Sequence, residues 1–260
     1  MLNSKKNTVI FFLFLASLVF GQEKITITIV GLVHSGNKNY SSENLYKYVA
    51  NISPDKIFQE QGNEEKLPFF LKAQLFLGLA KYTDERKFVD SLSKTLKVPI
   101  VNYDYNFRNR YKYLKNLTKS EQNMIRKIND LSLNKSLSVK EQILLDDYNK
   151  TSNIYYKNTF QNTIEKNNTL ETTNMSKEYF SKYFNNLGAI VNSNPNLQEY
   201  RSFMKEYEFF FNKRNLVMAN NILNNIGDSK NIVVLCGLLH KSYLIDLLQS
   251  RLDKKLYIIK

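Results

Sequence analysis

Short β-branched runs stand near both ends of the sequence, and between them the apolar residues recur at helical spacing. Ile25, Ile27 and Ile29 alternate with Thr26 and Thr28 and run into Val30-Gly31, the pattern of a strand that stops at glycine. Ser41-Ser42-Glu43 then offers a helix start, followed by Leu45, Val49 and Ile52 at helical spacing. After the turn Ser53-Pro54-Asp55, Lys56 to Glu60 reads as a second strand. Strand, helix, strand in this order is the βαβ unit of a parallel sheet. The other end repeats the alternation: a helix over about Leu197 to Ile226, a strand from Asn231 to Cys236, a helix over about Lys241 to Leu252 and a strand from Leu256 to Ile259. The expectation is an α/β fold with a mostly parallel sheet built from the two ends of one domain.

The middle differs. Leu67 to about Ala80 and Glu85 to Leu96 have helical spacing, and Val98-Pro99-Ile100-Val101 reads as a third strand. From about 104 to 196 Lys, Asn, Tyr and Ser dominate, with apolar positions at helical spacing around Met124-Ile128 and Ile143-Leu144. This predicts a helical insertion capping one end of the sheet, with Thr159 to Met175 polar enough to suggest disorder. Only eight glycines and four prolines in 260 residues argue against a many-stranded sandwich, which needs frequent turns.

Lys5 and Lys6, the uncharged run Thr8 to Phe20 and Gly21-Gln22 follow the basic, apolar, small-residue order of a secretory leader. The run is shorter than the roughly 20 residues that span a bilayer. The expectation is a signal peptide over residues 1–21, no stable membrane anchor after its removal, and an exported protein that is periplasmic or extracellular. In an oxidising compartment the single cysteine, Cys236, has no internal partner and is expected to be buried.

The chain has two histidines, and both end a strand in the same frame: Gly31-Leu32-Val33-His34 and Gly237-Leu238-Leu239-His240. In parallel α/β sheets ligands bind beyond the carboxyl ends of the strands, so both imidazoles are expected there, the glycines letting the backbone turn sharply. Glu60 follows Ile57-Phe58 and reaches the same edge, or else opens a solvated loop. Two imidazoles and a carboxylate match a three-ligand metal site with one open position; without metal they supply a general base and the acid that orients it. Arg214 lies in the helical stripe Tyr207, Phe211, Met218, Ile222. A guanidinium there needs an anion, from Glu60 or a substrate oxyanion, unless it packs its stem and reaches water. Asp104, flanked by Tyr103 and Tyr105, along with Arg108, Arg110 and Ser35, are weaker candidates. P-loop, Gly-x-Gly-x-x-Gly, His-Glu-x-x-His and EF-hand motifs are absent from the sequence.

The strand into Gly31-Leu32-Val33-His34, the segment Ser53-Pro54-Asp55-Lys56-Ile57-Phe58-Gln59-Glu60, the run Arg214 to Ala219, and Ile232 through His240 together resemble the TraB, GumN and Tiki group and its erythromycin-esterase-like relatives. The resemblance covers the two ends of the chain. It implies an α/β core with helical insertions and a site of His34, Glu60, Arg214 and His240. Tiki-type members are regarded as metal-dependent proteases and the esterase-like relatives use the histidines in hydrolysis. Leu239 and Leu32 stand where that group often has small residues.

The resulting expectation is an exported hydrolase of a peptide or ester bond. A divalent ion (Mn, Co or Zn) would be held by His34, Glu60 and His240, with Arg214 orienting Glu60 or steadying the oxyanion. The alternative is a non-catalytic exported protein that binds a metal, haem or a small ligand in the same cleft. The surplus of 37 Lys+Arg over 24 Asp+Glu permits acidic partners. Because the lysines are scattered rather than striped on one helix, and an exported protein seldom meets nucleic acid, no nucleic-acid partner is expected.

Overall fold

The computed structural model describes residues 24–33, 39–61, 92 and 94–260. Strands β1 (Ile25–Leu32), β2 (Lys56–Gln59), β3 (Ile100–Asn102), β4 (Asn231–Gly237) and β5 (Tyr257–Ile259) form one sheet in the order β3-β2-β4-β1-β5. All of its pairings are parallel. The fold is α/β, as the alternation at the two ends predicts. The two end segments meet at the centre of the sheet: β1 runs alongside β4, with Gly31 opposite Cys236 and Leu32 opposite Gly237.

Strict alternation sorts the strand side chains onto two faces. Ile27, Ile29, Phe58, Ile232, Val234 and Cys236 meet the helices α8 (Arg201–Asn224) and α9 (Leu238–Gln249) through Met218, Ile222, Leu244 and Leu248. Val30, Leu32, Ile57, Val233 and Leu235 meet α1 (Ser42–Ile52) through Leu45 and Val49. With both faces covered, β4 is buried almost throughout, as central parallel strands are. Cys236 lies in it, buried and in no disulfide. The helix after β1 packs on one face and the helix after β4 on the other, so a crevice opens between these neighbours at their carboxyl ends.

Between β3 and β4 the chain is helical: α2 (Arg108–Leu114), α3 (Leu117–Leu133), α4 (Val139–Thr159), α5 (Ile164–Asn167), α6 (Leu170–Lys182) and α7 (Gly188–Ser193) precede α8. They share an aromatic-rich core in which Tyr155 stacks on Tyr179 with ring centroids 4.5 Å apart and Phe180 contacts Phe211 at 4.0 Å. The suggested disorder of Thr159 to Met175 is not what forms. Thr163 and Thr169 cap α5 and α6, and Thr159, Thr173 and Ser176 turn their hydroxyls onto backbone carbonyls four residues earlier and are buried.

Several boundaries shift: α8 begins at Arg201 rather than about Leu197, where a short 3-10 turn stands instead, and β5 begins at Tyr257 rather than Leu256. β2 ends at Gln59, leaving Glu60 just beyond it; β3 is Ile100–Asn102; and α9 begins at Leu238 rather than Lys241. The helices expected over Leu67–Ala80 and most of Glu85–Leu96, like the leader, lie outside the described residues. Among the described residues no helix is long and apolar enough to cross a membrane.

Candidate functional site

Three strands deliver side chains to one edge. Glu60 follows β2, Asp104 follows β3, and His240 stands in the first turn of α9, directly after β4. From the helical side α8 presents Arg214 and Asn215, both buried. Tyr103 anchors the Asp104 turn: its ring is fully buried edge-on to Phe58, and its hydroxyl donates to the Leu235 carbonyl at 2.9 Å.

Arg214 is the hub. Its Nε donates to Asp104 Oδ1 at 2.8 Å and its Nη2 to Asp104 Oδ2 at 2.7 Å, a two-pronged grip on one carboxylate. Nη2 also donates to Glu60 Oε1 at 2.5 Å, and Nη1 donates to His240 Nε2 at 2.9 Å. Burial works against the Arg214 charge, but the Glu60 and Asp104 carboxylates outweigh it and raise the guanidinium pKa above its ordinary value. A guanidinium carries five N–H donors, so these four contacts leave one Nη1 N–H without a described protein acceptor. Arg108 closes the network, donating to Asp104 Oδ2 at 2.6 Å and Glu60 Oε1 at 3.3 Å. The second oxygen of Glu60 accepts the Gly237 N–H at the end of β4.

These contacts set the tautomer of His240. Arginine can only donate, so Nε2 must accept with its lone pair. Nδ1 therefore carries the hydrogen and donates to Asn215 Oδ1 at 2.6 Å. Phe211 stacks on the imidazole with centroids 4.9 Å apart, and together they fix a neutral ring beside a cation.

The glycines act differently from the expected sharp turn. Gly237 has φ −58°, which any residue adopts, and its contribution is the N–H given to Glu60. Gly31 lies inside β1, where a Cβ would come 2.6 Å from Leu238 Cδ1 and 3.3 Å from Leu238 Cα. Its bare backbone lets the start of α9, and hence His240, settle against β1.

Glu60, Arg214 and His240 thus come together. Asp104 and Arg108, weaker by sequence, belong to the same network. His34 and Ser35 lie outside the described residues, although Val33, just before them, lines the same cavity as His240. Tyr105 instead packs edge-on against Tyr111 and Phe210, and Arg110 is exposed. Asn215 and Lys112 were not singled out by their chemistry: a neutral amide and one lysine among many carry no sequence signal.

The cluster forms the charged floor of a cavity of about 500 Å³, with aromatic walls from α4, α6 and α8 that include Tyr155, Phe180 and Phe211. Lys112 of α2 also faces it, its pKa lowered by burial and by Arg214 and Arg108. The described donors do not fit the expected metal triad. Both nitrogens of His240 are engaged by Asn215 and Arg214, and Arg214 is in hydrogen-bond contact with Glu60 as well. A cation shared by Glu60 and His240 would have to displace the guanidinium. Among the described residues no group of three or more His, Cys, Asp or Glu side chains is arranged to hold a metal ion. No family model matches the sequence, and no curated protein or solved structure matches it.

Proposed function

We propose that the chain is an exported hydrolase of ester or peptide bonds, related to the TraB, GumN and Tiki group, with its reaction centre at Glu60, Arg214 and His240. The observation that carries this reading is the His240 triad: Asn215 holds the Nδ1–H tautomer, the Nε2 lone pair lies beside Arg214, and both line a cavity at the carboxyl ends of parallel strands. The family relationship is supported by the meeting of Glu60, Arg214 and His240, residues from separate motifs of that resemblance.

Each group has a role. A substrate carbonyl oxygen accepts the spare Nη1–H of Arg214, so charge developing on oxygen meets a cation that Asp104 and Glu60 hold fixed, and the attacking water displaces the Nη1–H from His240 Nε2. The released Nε2 takes a proton from water as the hydroxyl adds to the carbonyl carbon. The tetrahedral intermediate then collapses, the C–O or C–N bond breaks, and the imidazolium returns the proton to the leaving group. Glu60 and Asp104 keep Arg214 in place and offset the positive charge that His240 gains. His34 is the other histidine of this proposal.

The test is an ester and peptide hydrolysis assay with and without chelator, on the native protein, His34→Ala and His240→Ala. The expected result is turnover that survives chelation and falls about 10²- to 10⁴-fold in His240→Ala, the range for losing a general acid–base group. Equal rates in all samples would remove the proposal. Loss on chelation with recovery on adding Mn, Co or Zn would establish the metal-assisted form in its place. One observation favours the non-catalytic alternative: His240 Nε2 is already bonded to Arg214. That reading predicts saturable binding of a small ligand and no turnover.

A further inference from the structure

Arg108 and Lys112 stand one helical turn apart on α2 and both face the cavity, yet their surroundings differ. Arg108 is held by Asp104 and Glu60. Lys112 is half-buried and makes no hydrogen bond or ion pair with any described residue. Its charged neighbours include two cations, Arg214 and Arg108, and both oppose its charge. Two carboxylates favour that charge, Glu121 and Glu60, but each is otherwise engaged: Glu121 accepts the Tyr183 hydroxyl at 2.8 Å, and Glu60 accepts from Arg214. An ammonium half-removed from water beside two guanidiniums, with no acceptor among the described residues, is complementary to an anion from outside.

The remaining wall is aromatic. Phe180, Phe210, Phe211 and Tyr155 are buried around the cavity, while Tyr156, 46% exposed, and Phe160 stand nearer solvent. Such walls take up a flat or apolar body. A neutral apolar ligand would desolvate Lys112 further without compensation.

We propose that the cavity selects a ligand carrying an anionic group on an aromatic or apolar body, and that Lys112 receives that anionic group. This rests on the reading of the cavity as the substrate site, and narrows the substrate to an acidic aromatic or apolar ester or amide. Lys112 is then a specificity residue, and Arg214 and His240 remain for the scissile bond.

The test uses 2-naphthoate and its neutral analogue 2-naphthamide, titrated calorimetrically into the native protein, Lys112→Met, Lys112→Gln and His240→Ala at fixed ionic strength, with circular dichroism as the folding control. The native protein is expected to bind naphthoate about ten- to a hundredfold more tightly than naphthamide, the range for one hydrogen bond to a charged group. Both Lys112 variants should lose that preference and keep their affinity for naphthamide, and His240→Ala should keep the preference. Equal affinity for the two compounds, binding of neither, or a preference that persists in the Lys112 variants overturns the proposal. A carboxylate preference without turnover leaves it standing and sinks the hydrolase reading. Turnover without the preference does the reverse.

Discussion

Arg214 depends on two carboxylates, and removing either leaves a buried charge under-compensated. Asp104→Ala strips the two-pronged partner from Arg214 and the closer partner from Arg108. Breaking a buried pair from one side costs about 3 to 5 kcal/mol, so urea unfolding should show a loss of that order; a loss below about 1 kcal/mol would mean that the network is not formed. Asn215→Leu removes the Nδ1 partner of His240, and kcat should fall at least tenfold with KM little changed, because what is lost is orientation of the ring. An unchanged kcat would contradict the tautomer argument. Arg214 was legible in the sequence because a charge interrupting an apolar helical stripe needs an anion. Asp104 was harder to see: the strand before it is three residues long and tyrosines on either side disguise the turn.

At the scale of elements, the contact between β1 and α9 sets where His240 sits. Gly31→Ala places a Cβ against Leu238, whose side chain can swing away but whose Cα, 3.3 Å off, cannot. The expected result is a lower melting temperature and a proportionate loss of turnover as the first turn of α9 is pushed off the strand; a variant with native stability and rate would show that the close approach is unimportant. The strands were readable because β-branched residues alternate between two covered faces. The start of α9 was not, since it has no side-chain cap and Leu238-Leu239 continue the apolar run of β4. The packing of α5 and α6 was hidden for another reason. Thr and Ser that satisfy their hydroxyls on their own helix can be buried as small core residues, and composition alone cannot distinguish them from solvated ones.

For the molecule as a whole, stability should depend on pH through Lys241. It is buried against Gly31 of β1, and its ammonium donates to the side-chain and backbone oxygens of Asn168, at 2.8 and 3.2 Å. The Asn168 side chain in turn holds the Gly31 backbone. Burial pushes the Lys241 pKa down to about 8 from 10.5. Between those values the unfolded chain binds a proton that the folded chain has released, so stability rises with pH across that window and is lower below it, by about 3 kcal/mol in all. Unfolding measured from pH 7 to about 9, below the ordinary tyrosine pKa of about 10, should show stability rising more steeply with pH in the native protein than in Lys241→Met. Identical slopes in the two would remove the effect. The proposed reaction centre rests on the same architecture: the two end segments meet as β1 and β4, their following helices lie on opposite faces, and aromatic helices wall the crevice above Glu60, Arg214 and His240. The most direct measurement is steady-state hydrolysis of an acidic aryl ester by purified native protein and by His240→Ala, with both shown to be folded. Native turnover is expected, with a loss of about 10²-fold or more in the variant. Equal turnover by the two proteins, or none by the native one, would contradict this expectation.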